Sequence, residues 1–92
     1  MSTSRPQPGH FSILYFASAA SFTNKPYDHL VAPMKLSTLF DHLEEMYPTI
    51  TQKILHSCAL TVNLEYVDAQ ADADMVVSEG DEVAVIPPVS SG

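Results

Sequence analysis

Ninety-two residues, 46% hydrophobic and 16% charged, make a single globular domain with a small core and exclude a disordered chain. Eleven acidic residues against four basic ones leave a net charge of −7, which repels phosphate backbones and makes nucleic acid a poor partner. The same acidity suits a basic protein surface or, more simply, keeps a small domain in solution.

Residues 1–9 (MSTSRPQPG) are polar and proline-bearing, with no apolar stretch for a signal peptide, and are expected to form a loose arm. No apolar run is long enough for a membrane span. Cys58 is the only cysteine, which excludes an internal disulfide and fits a reducing, cytosolic compartment. The folded domain is expected over 10–86, followed by an extended tail over 87–92.

His10–Ser18 (HFSILYFAS) is rich in strand formers, and apolar residues on both faces predict a central strand. Residues 19–35 carry Pro26 and Pro33 and hold no sustained period. They predict a loop or a short helical turn, then an extended segment near Asp28–Ala32 that pairs with the first strand. The clearest helix follows: Leu36, Leu39, Phe40, Leu43, Met46 and Tyr47 form one apolar stripe, with Ser37 as N-cap and Asp41, Glu44 and Glu45 facing water. Pro48 ends it by pushing its predecessor out of helical geometry. Thr49–Ser57 predicts a second short helix, with Ile50, Ile54 and Cys58 near one face.

Ala59–Val67 (ALTVNLEYV) alternates throughout and predicts one half-buried strand, with Leu60, Val62, Leu64 and Tyr66 inward and Thr61, Asn63 and Glu65 outward. An acidic loop (Asp68–Met75), a brief apolar pair (Val76–Val77), a tight turn at Gly80–Asp81 and a final strand (EVAVIP) complete the domain. Strands flanking one dominant helix predict an α+β sheet with that helix across a single face.

Familiar active-site patterns do not assemble. His10, His29, His42, His56 and Cys58 lack the paired short spacings of structural zinc. Counting an EF-hand loop from Asp72 puts Val76 and Val77 where a ligand and a glycine are required. Cys58 lies in apolar surroundings, and three glycines are too few for a phosphate-binding loop. The remaining oddity is the terminus. Pro87 and Pro88 favour an extended path, and the six residues to Gly92 reach roughly 20 Å at about 3.1–3.5 Å each. Ser90, Ser91 and Gly92 are slim enough for a narrow channel, and a frayed end explains them equally well.

GDEVAVIPPVSSG (Gly80–Gly92), placed after NLEYV (Asn63–Val67), resembles the small, sulfur-carrying subunits of molybdopterin synthase. ILYFASA (Ile13–Ala19) and the helix from Ser37 match the opening of that family, and the resemblance runs from about Phe11 onward. It implies a β-grasp, ubiquitin-like fold. It also implies that Gly92 is adenylated by an ATP-using enzyme related to ubiquitin-activating enzymes and then carries a thiocarboxylate. Pro87, Pro88, Val89, Ser90 and Ser91 would line a channel of the large subunit. Val85 and Ile86 would anchor an apolar contact beside it, although both also read as ordinary core residues.

On this resemblance the chain binds no cofactor of its own and is a tethered co-substrate, not an enzyme. The large subunit, in a heterotetramer of two small and two large chains, supplies the catalytic residues and binds cyclic pyranopterin monophosphate. The family usually ends in two glycines, whereas Ser91 precedes Gly92 here. Two other readings stand beside this one: a sulfur carrier for thiamine or tRNA thiolation, and a ubiquitin-like interaction module or modifier.

Overall fold

The computed structural model describes residues 6–88. In chain order the elements are β1 (His10–Tyr15), α1 (Ser18–Thr23), β2 (Tyr27–Val31), β3 (Met34–Lys35), α2 (Leu36–Met46) and α3 (Ile50–Lys53). A 3₁₀ turn (Leu55–Ser57) leads into β4 (Ala59–Val62), β5 (Glu65–Val67), β6 (Val76–Val77) and β7 (Glu82–Ile86). Five strands form one mixed sheet in the order β2-β1-β7-β4-β5, and β3 and β6 form a small antiparallel pair. The parallel contact is between β1 and β7, with Ser12 opposite Glu82 and Tyr15 opposite Val85; the other pairs are antiparallel. This is the β-grasp arrangement that the resemblance implies.

The last strand takes the central place because its sequence suits burial on both faces. Val83, Ala84 and Val85 are all buried, as the uninterrupted apolar run of a central strand requires. The α2 stripe supplies the facing layer. Leu36, Leu39 and Leu43 are wholly buried in one cluster with Phe11, Ile13, Leu60, Val62, Val83 and Val85, while Phe40, Met46 and Tyr47 pack at its margin.

The N-terminus of α2 differs from expectation. Ser37 lies inside the helix; Lys35 occupies the cap position, with no side-chain capping bond. The free Leu36 and Ser37 N–H groups donate instead to the carbonyls of Met75 (2.9 Å) and Ala73 (3.1 Å), so the acidic loop caps the helix with its backbone. That loop is ordered by its own carboxylates: Asp68 accepts from the Gln70 and Ala71 N–H groups, and Asp72 accepts from the Asp68 N–H, all at 2.8 Å. Glu44, read as a solvent-facing residue, accepts from the N–H groups of Thr49 (2.7 Å) and Thr51 (3.0 Å) and so caps α3. Those two bonds hold its carboxyl below the ordinary range.

Ala59–Val67 is not one strand. The chain reverses at Asn63 and Leu64, and Val62 pairs with Glu65 in a tight hairpin. Leu60 and Val62 are buried, but Leu64 and Tyr66 are 85% and 77% exposed, not half-buried. The backbone at the described end of the expected arm makes hydrogen bonds. The Gly9 N–H donates to Glu79 Oε2 (2.6 Å), the Ala32 N–H to the Gly9 carbonyl (2.8 Å) and the His10 N–H to the Gln7 carbonyl (3.1 Å).

Candidate functional site

The end of β7 delivers the carboxyl terminus, and its geometry follows from the central position of that strand. Val85 sits opposite Tyr15 of β1 and Leu60 of β4, and Ile86 opposite Ala59. The Phe16 N–H donates to the Val85 carbonyl at 3.2 Å, so β7 is held on both sides almost to its last residue. Pro87 then ends the ladder because it has no N–H to give. Pro87 is buried and Pro88 is exposed, so the backbone leaves the body for water within one residue.

The residues expected at this site are sorted by that geometry. Val85 is wholly buried in the core and supports the exit from beneath, whereas Ile86 keeps accessible surface. Pro88 is the first fully external residue of the tail. Val89, Ser90, Ser91 and Gly92 lie outside the described residues.

Two features at the exit were not anticipated from the sequence. Phe16, read as part of the first strand, follows β1 and leaves 46% of its surface exposed. Ala17 beside it adopts φ 50° and ψ −123°, a conformation that side chains disfavour, and starts α1 from there. Beneath lies a hydrogen-bonded cluster. Asp28 Oδ2 accepts from the hydroxyls of Tyr15 (2.9 Å) and Tyr47 (2.6 Å), and Oδ1 accepts from Lys25 Nζ (3.0 Å). The two tyrosine rings meet edge to face, centroids 6.1 Å apart.

Burial pushes the Tyr15 hydroxyl far above the ordinary phenol range, and the Asp28 carboxylate pushes it further; Tyr47 moves the same way for the same causes. Burial alone would raise Asp28, but hydrogen bonds from Tyr47, Lys25 and Tyr15 outweigh it and hold the carboxyl low. The cluster is therefore a charged acceptor with three donors. It fastens the end of β1, the start of β2 and the end of α2 together, and offers no free base.

At the same end of the sheet an open groove of about 520 Å³ runs between the helices and the β4–β5 hairpin, with Phe40, Leu55, Cys58, Leu60 and Tyr66 in its walls. Burial pushes the Cys58 thiol up, which keeps it protonated and a poor nucleophile. Among the described residues no group of three His, Cys, Asp or Glu side chains is placed to hold a metal ion. What the described part of the site offers is a rigidly based exit from the central strand that ends at an exposed Pro88.

Comparison with known proteins fits this geometry. The family model described as the ThiS family matches residues 13–92. A molybdopterin synthase sulfur carrier subunit of Phaeosphaeria nodorum is 56% identical, with both chains covered completely. Among solved structures, SAMP1 from Haloferax volcanii superposes with a TM-score of 0.74 at 19% identity, covering 91% of this chain and all of its own. A complex of subunits 1 and 2 of molybdopterin-converting factor from Helicobacter pylori gives 0.67 at 20% identity, covering 90% and 99%. With the family model spanning most of its length and a relative more than half identical across all of it, this β-grasp chain belongs to the ThiS family, in its molybdopterin synthase sulfur carrier branch.

Proposed function

We propose that the chain carries sulfur on its C-terminal glycine for molybdenum cofactor biosynthesis, as the small subunit of a molybdopterin synthase. The observation that carries this reading is the exit of β7: a central strand held on both sides, ended by a buried Pro87, and continuing through an exposed Pro88 toward Gly92. Membership of the family supports a sulfur-carrier role, for which we propose the following chemistry. A carboxylate is a poor electrophile because it is anionic and lacks a leaving group. The Gly92 carboxylate attacks the α-phosphorus of ATP on an activating enzyme and releases pyrophosphate. A sulfur nucleophile then displaces AMP and leaves a thiocarboxylate.

Pro88, Val89, Ser90 and Ser91 pass along a channel of the large subunit, with Pro87 and Ile86 at its mouth and Val85 supporting them from the core. Two transfers to cyclic pyranopterin monophosphate build the dithiolene of molybdopterin. Tethering the sulfur to a folded domain raises its local concentration at the pocket and shields a labile group from water. The chain is a co-substrate in this scheme. Its work takes place in the cytosol, in a heterotetramer of two small and two large chains.

The test is intact-mass analysis after incubation with the activating enzyme, ATP and a sulfur donor. The expected gain equals the exchange of one oxygen for sulfur, abolished by deleting Gly92. Should Ser91→Gly gain sulfur and the wild-type chain not, the family chemistry stands and Ser91 blocks it. If neither gains sulfur, the interaction-module reading replaces this one.

A further inference from the structure

The β4–β5 turn lies at the end of the sheet away from the tail, and its residues are chosen oddly. Only Asn63 and Leu64 separate the paired residues Val62 and Glu65, and both have positive φ, at 51° and 73°. A two-residue hairpin turn requires that geometry, and glycine normally supplies the second position. A leucine there crowds its own backbone, yet its side chain is 85% exposed, the most exposed large hydrophobic among the described residues. The chain's own fold gains nothing visible from it.

The turn is nevertheless rigid. The Asn63 N–H donates to the Glu82 carbonyl at 2.8 Å, Asn63 Nδ2 donates to Asp81 Oδ1 at 3.0 Å, and the Glu82 N–H donates to Asn63 Oδ1 at 3.0 Å. Asp81 Oδ2 in turn accepts from the Ser78 N–H at 2.8 Å. Leu64 is thus a preorganised apolar knob in an acidic turn: Glu65 follows it in the chain and its neighbour Asn63 is bonded to Asp81 and Glu82, while Lys25, Lys35 and Lys53 belong to other parts of the fold. Tyr66, two residues on and 77% exposed, continues the apolar surface along the hairpin toward the tail end.

We infer that the Leu64 tip is a second docking point for the large subunit, entering an apolar socket rimmed by lysine or arginine. The inference rests on the sulfur-carrier reading above. A stable two-chain complex buries about 800 Å² on each side, which a short tail of small residues does not supply, so the globular surface has to contribute. Of the two partners that share the tail, the large subunit must hold a labile thiocarboxylate away from water through transfer, and gains most from a distant anchor. The acidic turn selects a basic rim and opposes a second copy of this chain.

The experiment titrates the full chain, wild type and Leu64→Gly, into the large subunit by calorimetry, with sulfur charging by the activating enzyme followed in parallel. Glycine suits this turn better than leucine, so the variant folds at least as stably. The expected result is a Kd weakened roughly tenfold or more, with charging at the wild-type rate. An unchanged Kd overturns the inference. Slowed charging with an unchanged Kd moves the tip to the activating enzyme and also overturns it. So does a wild-type dimer in sedimentation that the variant loses. If the wild-type chain neither charges nor binds the large subunit, the sulfur-carrier reading fails and this inference falls with it.

Discussion

Asp28 receives donors from three parts of the chain: Tyr15 at the end of β1, Tyr47 at the end of α2, and Lys25 three residues before it. Its carboxyl is held low against the opposing effect of burial. A carboxyl whose pKa is lower folded than unfolded lends stability that is complete above about pH 4 and is lost as pH falls through the folded value. Tyr15 and Tyr47 run the other way. Raised above the ordinary phenol range, they contribute fully below about pH 10 and lose that contribution as pH rises further. Asp28→Asn is expected to cost about 1–3 kcal/mol at neutral pH by urea unfolding, because two phenolic donors lose a charged acceptor. The variant's stability should also change less on acidification than the wild type's, and Tyr15→Phe should flatten the alkaline side. A variant whose acid limb stayed as steep as the wild type's would assign that limb to other carboxylates. None of this was legible in the sequence. Asp28 sat in a stretch without period, and its partners lie 13 and 19 residues away in opposite directions.

Among the elements, α2 was read almost completely because its six-residue stripe is the longest run at the helical period in the chain. Leu43, like Leu36 and Leu39, has no exposed surface. Leu43→Ala is expected to cost about 2–5 kcal/mol in a denaturant titration, with the slope of the transition unchanged. A loss below about 1 kcal/mol would mean that the core closes over the deleted atoms. The helix start escaped the reading because serine is a good N-cap in isolation, whereas the carbonyls that serve here come from Ala73 and Met75, far along the chain. The β4–β5 hairpin escaped it for a different reason. Apolar and polar residues alternate straight through Asn63 and Leu64, and a leucine at the glycine position of the turn removes the usual compositional mark.

At the scale of the whole molecule, the proline pair was legible as the end of the last strand: Pro87 closes the β7 ladder and Pro88 is exposed, while the rest of the expected tail, residues 89–92, lies outside the described residues. The site's base was only partly legible. Val85 and Ile86 alternate faces of the last strand, and the sequence alone does not say which face the helix covers, so one proved to be core and the other accessible. Net charge acts at this scale too. With −7 on 92 residues, the rate of association with the large subunit should fall as salt rises from about 0.05 to 0.5 M in stopped-flow mixing, while dissociation changes much less. A rate indifferent to salt would remove charge from the encounter.

The position of β7 has a mechanical side. In the proposed function, a tail drawn into the large subunit's channel pulls along the axis of the strand that bears it, and that strand is hydrogen-bonded to β1 on one flank and β4 on the other. Force in that direction shears both ladders at once and cannot peel them open one bond at a time, as it would on an edge strand. A terminus issuing from the centre of a sheet can therefore be tugged, threaded and withdrawn repeatedly while the body behind it stays folded.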